Sequence, residues 1–272
     1  MKPPPEVLAY YEQYAEESRL SIGPFKLEFA RTQEVLERVL PAPPALIIDV
    51  GGAAGTYSAW LASLGYAVHL VDASARLVEE ARRRNASLVK PIESLTVGDA
   101  RSLPHGDGTA DVVLLMGPLY HLPSQADRLR ALGEAIRVLV PSGLVMVAAI
   151  SRYASTMAAF ARHAALDPAF TRIRNQDLID GQHRNDTGRL SYFTTAYLHR
   201  PEDVRQELEA AGFKDCAVLG VEGPGWILGD FEERWDEPAL RDNLMEVARA
   251  LEAEPSMLGA SAHLLGLGRK AG

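Results

Sequence analysis

The stretch that decides the fold reads LIIDVGGAAG and spans residues 46–55. A short apolar run, interrupted only by Asp49, leads into a glycine-rich turn, and helix-forming residues follow from Thr56. A buried strand, a tight turn and a helix start in this order are typical of a nucleotide-binding crossover in an α/β domain. Glycine allows the backbone to turn sharply and to approach a ligand closely. The motif alone is weak evidence, because packing between a strand and a helix also uses glycines.

Composition narrows the class of protein. The chain has 272 residues, of which 47% are hydrophobic and 24% charged, as expected for a soluble globular protein with one large core. A net charge of −8 argues against a nucleic-acid partner, which usually requires a basic face. The single cysteine, Cys216, excludes an internal disulfide and a cysteine-based metal cluster, and no metal is predicted. Without a signal-peptide core or a membrane-spanning segment, we expect a cytoplasmic protein with no membrane partner, as a monomer or homodimer.

Strand and helix patterns alternate regularly through residues 45–150, which predicts a doubly wound α/β sheet. Residues 1–44 read as an N-terminal helical cap. Residues 151–199 interrupt the alternation and are too long for a simple connection, so we expect a lid or substrate insert. Residues 200–272 are predicted to complete the sheet, with a helical insertion near 230–253. The strands predicted in the regular part are Leu46–Val50, Tyr66–Val71, Ile92–Val97, Ala110–Met116 and Leu144–Ile150.

Acids and glycines follow these strands where ligand groups gather, at the carboxyl ends of a parallel sheet. Asp72 closes the second strand about twenty residues beyond the glycine turn, where a carboxylate can accept hydrogen bonds from both ribose hydroxyls. Asp99 follows the third strand, where an acid beside a backbone amide can recognise an adenine edge. A lone Asp after a strand is more often a helix cap. Several acids and glycines in order at successive strand ends are hard to explain as caps.

At these residues the sequence resembles the class I S-adenosylmethionine-dependent methyltransferases, well over residues 45–150 and more loosely over 201–221. Residues 49–55 resemble the family's acid-x-Gly-x-Gly-x-Gly motif. The resemblance implies a Rossmann-like, seven-stranded sheet with an antiparallel last strand. It also implies an enzyme that uses S-adenosylmethionine, held by Asp49, Gly51, Gly52, Ala53, Gly55, Asp72, Ala73, Asp99, Ala100, Met116 and Gly117.

One position departs from the family motif, since Ala53 stands where the middle glycine is expected. A methyl group there is tolerated if the backbone φ angle is negative. It obstructs the cofactor only if φ is positive.

The turn after the fourth strand favours a small-molecule acceptor. Residues 116–120 lack the Asn/Asp-Pro-Pro-aromatic turn common in amino-group methyltransferases of nucleic acids. His121 follows this turn and is a candidate general base or substrate contact, with a structural turn hydrogen bond as the alternative. Aromatic and polar residues elsewhere are candidates for binding the acceptor or the cationic sulfonium. They are Tyr11, Tyr120, Tyr153, His183, Arg184, Tyr192 and Trp226.

Two other functions share this pattern. An NAD(P)-dependent oxidoreductase of the short-chain type would carry a Tyr-x-x-x-Lys pair, and no tyrosine here has a lysine four residues on. The other alternative is a degenerate methyltransferase fold that binds a ligand or a protein partner. Only the departure from the motif at Ala53 supports it. The acceptor atom stays open. An arginine in the cavity beneath residues 151–199 would indicate an amino or oxo acid, and an aromatic box a planar hydrophobic acceptor.

Overall fold

The computed structural model describes residues 4–161 and 166–272. Their centre is a mixed sheet, and seven of its strands run in the spatial order β3-β2-β1-β4-β5-β9-β8. In chain order these strands are β1 (Leu46–Val50), β2 (Ala67–Asp72), β3 (Ser94–Val97), β4 (Ala110–Leu115), β5 (Leu139–Ser151), β8 (Lys214–Gly220) and β9 (His263–Arg269).

Strands β1 to β5 are parallel to one another, and β9 is antiparallel to both β5 and β8. This confirms the predicted fold class and the antiparallel last strand. Strand β5 begins at Leu139 rather than at the predicted Leu144, and its register against β4 shifts between these two residues. The inner strands are apolar because both of their faces are covered, as in other parallel sheets.

Four helices cover the two faces of the sheet: α3 (Thr56–Leu64), α4 (Ala75–Asn85), α5 (Gln125–Val138) and α8 (Pro201–Ala210). Gly65 ends α3 in the left-handed conformation that glycine adopts without strain. Ser74 caps α4 through a hydrogen bond from the Leu77 amide at 3.3 Å. Ser124 precedes α5, but its side chain makes no capping hydrogen bond.

The N-terminal cap consists of α1 (Pro5–Gln13), a 3-10 helix (Glu16–Ser21) and α2 (Phe25–Val39). The insert holds α6 (Ala154–Ala161), α7 (Pro168–Asp180), β6 (Gln182–His183) and β7 (Ala196–His199). Strand β7 pairs with Ile150 and Ser151 of β5, beyond the last pair of β4, so part of the insert extends the sheet. The later helices are α9 (Phe231–Asp236) and α10 (Pro238–Leu251). No helix in the described ranges is long and apolar enough to cross a bilayer.

Candidate active site

A cavity lies at the carboxyl ends of β1, β2 and β4, beneath α1, and we call it the glycine-loop cavity. Most of the residues predicted to bind the cofactor line it: Gly51, Gly52, Ala53, Asp72, Ala73, Asp99, Ala100, Met116 and Gly117. Asp49 and Gly55 do not. Asp49 is fully buried beneath the loop, and Gly55 packs against Ala81 and Ile92. These two residues shape the loop instead of lining the cavity.

The loop has no room for side chains at two of its glycines. A Cβ on Gly51, whose φ is +76°, would lie 2.6 Å from Cδ of Pro118. A Cβ on Gly52 would lie 2.8 Å from Oδ2 of Asp49. The loop after β1 therefore stays without side chains at these two positions, with the Pro118 ring of the loop after β4 packed against Gly51, and we call this glycine turn the cradle.

Ala53 has a φ of +48°, in the left-handed region that residues with a Cβ rarely adopt. With a positive φ, the methyl group of Ala53 is predicted to obstruct the cofactor. Its amide donates a hydrogen bond to Oδ2 of Asp72 at 2.9 Å. The strained backbone is thus tied to the acid at the end of β2.

Asp72 accepts a second amide hydrogen bond, from Ser74 to Oδ1 at 2.8 Å. Burial raises the pKa of this carboxyl, and the amide hydrogen bonds partly offset the increase. Burial raises the pKa of Asp49 to about 6, against a hydrogen bond that Ser58 donates to its Oδ2 at 2.6 Å. In the described part of the chain, Oδ1 of Asp49 has no hydrogen-bond partner.

Asp99 is held by Arg101, which sequence reasoning missed. Nε of Arg101 donates to Oδ1 of Asp99 at 2.9 Å and an Nη donates to Oδ2 at 2.6 Å. Although burial opposes ionisation, these hydrogen bonds keep the pKa of Asp99 below its usual range. The carboxylate is therefore ionised and fixed in direction at the cavity wall.

Tyr11 of α1 reaches His121, although 110 residues separate them. The Tyr11 hydroxyl lies 2.8 Å from Nε2 of His121, and Nδ1 lies 3.4 Å from the carbonyl oxygen of Thr195. Burial lowers the pKa of His121 to about 4, so the ring is neutral at neutral pH. A neutral ring that donates a hydrogen bond from Nδ1 accepts a hydrogen bond from the tyrosine hydroxyl at Nε2.

A second cavity of about 330 Å³ adjoins the first and is lined largely by aromatic rings; we call it the aromatic cavity. Four residues line both cavities: Tyr11, Glu16, Arg19 and Tyr120. The remaining aromatic residues of its wall are Tyr10, Tyr14, Phe25, Phe170, Tyr192, Phe193 and Trp226.

Of the residues predicted to bind the acceptor, Tyr11, Tyr120, His183, Tyr192 and Trp226 line this cavity. Within it, His183 is hydrogen-bonded on both ring nitrogens, to Asp177 and to the Tyr192 carbonyl oxygen.

Two predicted acceptor residues lie outside the lining. The Tyr153 ring packs against Gly259, and Arg184 donates to the carbonyl oxygens of His183 and Ala196. These carbonyls and the Gln182 side chain occupy the guanidinium of Arg184, which therefore does not face the cavity as a carboxylate-binding group.

One wall of the aromatic cavity is charged. Arg19 donates to both carboxylate oxygens of Glu28, at 2.6 and 3.1 Å, and to Glu16 at 2.8 Å. Behind Glu28 lie Glu222 and His263. The side-chain atoms of Glu28, Glu222 and His263 that could ligate a metal ion lie within 4.8 Å of one another. The guanidinium of Arg19, however, already supplies a positive charge to Glu28.

Sequence reasoning missed Glu222 and His263, although the pattern contained a signal. Strand-like runs at residues 213–221 and 262–267 place Glu222 after the end of one strand and His263 near the start of the next. The end of one strand and the start of its antiparallel neighbour lie at the same sheet edge.

Comparison with known proteins agrees with this geometry. Residues 47–143 match the model of a family described as a methyltransferase domain. The chain is 34% identical over 107 residues to a protein of Bos taurus named Probable tRNA methyltransferase 9B, covering 39% of this chain and 21% of that protein. It is 29% identical over 152 residues to the demethylmenaquinone methyltransferase of Beutenbergia cavernae, covering 55% and 60%. The chain therefore spans between a fifth and three fifths of the length of these relatives.

A solved structure extends the likeness beyond the matched domain. The phosphoethanolamine N-methyltransferase 2 of Haemonchus contortus, solved with S-adenosylhomocysteine, superimposes with a TM-score of 0.60 at 17% identity. The superposition covers 97% of this chain and 59% of that one. It shows a shared fold. Together with the family match, it shows that residues 47–143 are a methyltransferase domain with the fold of the class I S-adenosylmethionine-dependent enzymes.

Proposed function

We propose that this protein transfers the methyl group of S-adenosylmethionine to a small, planar, unsaturated acceptor bound in the aromatic cavity. The observation that carries the proposal is the shared wall of the two cavities, formed by Tyr11, Glu16, Arg19 and Tyr120. A donor in one cavity and an acceptor in the other would meet at that wall. In-line methyl transfer requires this proximity, together with exclusion of water by a closed site.

The residues of the glycine-loop cavity suit the donor. Asp72 keeps lone pairs for two ribose hydroxyls while it accepts the amides of Ala53 and Ser74. Asp99, ionised and oriented by Arg101, suits the amino group of adenine. The cradle at Gly51 gives the chain's backbone access to the donor, which supplies an electrophilic methyl group on a sulfonium.

The aromatic wall favours a planar hydrophobic acceptor over an amino or oxo acid. Rings give large contact areas and stack on flat unsaturated groups. Arg19, the arginine of this cavity, is paired with two carboxylates and so offers little to an acidic substrate. The relative from Beutenbergia cavernae is named for demethylmenaquinone, a name consistent with an acceptor of this kind.

His121 serves in this proposal as a positioning residue for Tyr11. With a pKa near 4 it holds a proton weakly, which leaves little driving force for taking one from an acceptor. Its ring instead fixes the Tyr11 hydroxyl at the junction of the two cavities. There the rings of Tyr11 and Tyr120 are placed to stabilise a sulfonium cation.

The experiment is titration calorimetry with S-adenosylmethionine, followed by transfer of a labelled methyl group. The acceptors are reduced 2-methyl-1,4-naphthoquinone, histamine and bulk tRNA. We expect binding, and transfer to the hydroquinone only. Transfer of the label to tRNA would refute the small-molecule acceptor. We do not expect that result, because the net charge of −8 argues against a nucleic-acid substrate. If the Asp72→Ala variant still binds S-adenosylmethionine as the wild type does, the assigned donor site is wrong. Binding of NADH would favour the alternative function of an oxidoreductase.

Calorimetric binding without transfer to any acceptor would instead favour a degenerate, ligand-binding fold. Cytoplasmic location and a monomeric or homodimeric state stay predictions, the second of which size-exclusion chromatography with light scattering checks.

A further inference from the structure

The charged wall of the aromatic cavity contains a histidine held by a buried carboxylate. Nδ1 of His263 lies 2.5 Å from Oε1 of Glu222, and the His263 amide donates to Oε2 at 3.0 Å. Each carboxylate oxygen of Glu222 therefore has a hydrogen bond with His263, and the side chain is shielded from solvent because Glu222 is only 2% exposed. The carboxylate accepts a hydrogen bond from the Nδ1–H group, so the lone pair of the neutral ring lies on Nε2.

His263 lines the aromatic cavity, and its side chain is 17% exposed. Among the described residues, Nε2 has no hydrogen-bond partner, whereas both ring nitrogens of His183 in the same cavity are occupied. His263 therefore presents a fixed, unused nitrogen within the cavity that we assign to the acceptor.

The surrounding charges favour a proton on this ring. The carboxylates of Glu16 and Glu28, from two elements of the N-terminal cap, pair with the guanidinium of Arg19, and the carboxylate of Glu222, after β8, pairs with His263. Glu28 Oε2 lies 3.6 Å from Nδ1 of His263. Burial acts to lower the pKa of His263, but Glu28 and Glu222 outweigh it and raise the pKa. His121, with no carboxylate among its hydrogen-bond partners, has its pKa lowered instead.

We propose that the acceptor is a phenol or enol, and that His263, oriented by Glu222, is the catalytic base that takes its hydroxyl proton. This inference rests on the proposed function. The acceptor's O–H bond breaks as an N–H bond forms at Nε2. The oxygen then bonds to the methyl carbon while the carbon–sulfur bond breaks, and its electron pair stays on sulfur as a neutral thioether. The proton later leaves His263 for solvent, so one proton is released for each methyl transferred.

Arg19 connects this base to the donor side. It lines both cavities and holds Glu28, which in turn faces His263. His263 also pairs with Ile150 near the carboxyl end of β5, close to the ends of the parallel strands where the donor is expected. A hydroxyl on a flat acceptor in the aromatic cavity can therefore face the base and the donor together.

The test uses 4-nitrophenol, whose phenol and phenolate forms absorb at different wavelengths, and the full-length protein saturated with S-adenosylhomocysteine. The titration is done at about pH 6, below the ordinary histidine pKa of about 6.5. At this pH the raised pKa keeps His263 protonated, so we expect the wild type to bind the phenolate, paired with the protonated ring. His263→Gln should weaken phenolate binding by about tenfold or more, because a charge-assisted hydrogen bond is lost.

Glu222→Gln provides a second variant that keeps the imidazole but removes the carboxylate. Its bound phenolate should appear only at a higher pH than in the wild type. The matched control is His69→Gln. His69 lies on β2, with its ring 3.5 Å from the carboxylate of Glu93, and it lines neither cavity. This control should behave as the wild type does.

Absence of bound phenolate in the wild type, or its persistence in both His263→Gln and Glu222→Gln, overturns the inference. The cofactor arm separates this from the proposed function. If S-adenosylhomocysteine binds and the phenolate does not, only the base and the hydroxyl acceptor are refuted. If S-adenosylhomocysteine does not bind, the proposed function itself fails.

Discussion

Replacing Ala53 by glycine should stabilise the protein, which is unusual for an alanine in a loop. The φ of +48° at this residue costs an alanine about 1–2 kcal/mol, because Cβ crowds the neighbouring carbonyl oxygen. Glycine avoids that cost but adds about 0.4–1 kcal/mol of entropy to the unfolded chain. The difference spans about 0–1.6 kcal/mol with a midpoint of about 0.8 kcal/mol in favour of glycine, which corresponds to a rise of about 2 °C in the unfolding temperature.

The adjacent Ala54 supplies a control of opposite sign. It is 3% exposed and is not among the residues with a positive φ. Ala54→Gly should lose about 0.8 kcal/mol of methyl burial, in addition to the same entropic cost of about 0.4–1 kcal/mol. Neighbouring alanines in one loop should therefore respond in opposite directions.

The assay is thermal and urea unfolding of both variants, with titration of S-adenosylhomocysteine. Ala53→Gly keeps the amide that donates to Asp72, and it removes the methyl group predicted to obstruct the cofactor. We therefore expect binding at least as tight as that of the wild type. A lower unfolding temperature for Ala53→Gly, or the same sign for both variants, would refute the left-handed geometry and the reasoning built on it.

Three further variants probe the charges of the site. Asp72→Asn should weaken S-adenosylmethionine binding about 10- to 100-fold in calorimetry, since hydrogen bonds to a charged group contribute about 1.5–3 kcal/mol; unchanged affinity would remove Asp72 from the donor site. Asp49 has a folded-state pKa of about 6, above its ordinary value, so its stabilising contribution is complete below about pH 4 and disappears as the pH rises through 6. The stability advantage of Asp49→Asn over the wild type should therefore grow by about 2–3 kcal/mol between pH 4 and 7, and parallel urea-unfolding curves would contradict this. Arg19→Met should cost about 3–5 kcal/mol, because Glu28 stays buried without its partner, whereas Arg83→Met on the surface should cost less than about 1 kcal/mol.

The parallel part of the fold was predictable because its information is local. Apolar runs such as Leu46–Val50 can only be buried strands, and alternation with helices requires parallel pairing. Parallel pairing then places Asp72 and Asp99 at one edge of the sheet, beside the glycine loop. The register shift in β5 and the pairing of β7 with Ile150 were not predictable in this way. They depend on strand partners and not on the pattern within one strand.

The sequence by itself determined the strand–turn–helix unit at residues 46–55, the acids at the sheet edge and, through them, the methyl donor. Only the tertiary structure decided the sign of φ at Ala53, because the hydrogen bond to Asp72 joins two strands. It also decided which histidine has its pKa lowered and which has it raised. His121 meets Tyr11 across 110 residues, and His263 meets Glu222 across 41. Burial and neighbouring charge set those pKa values, and both arise only when distant segments pack together.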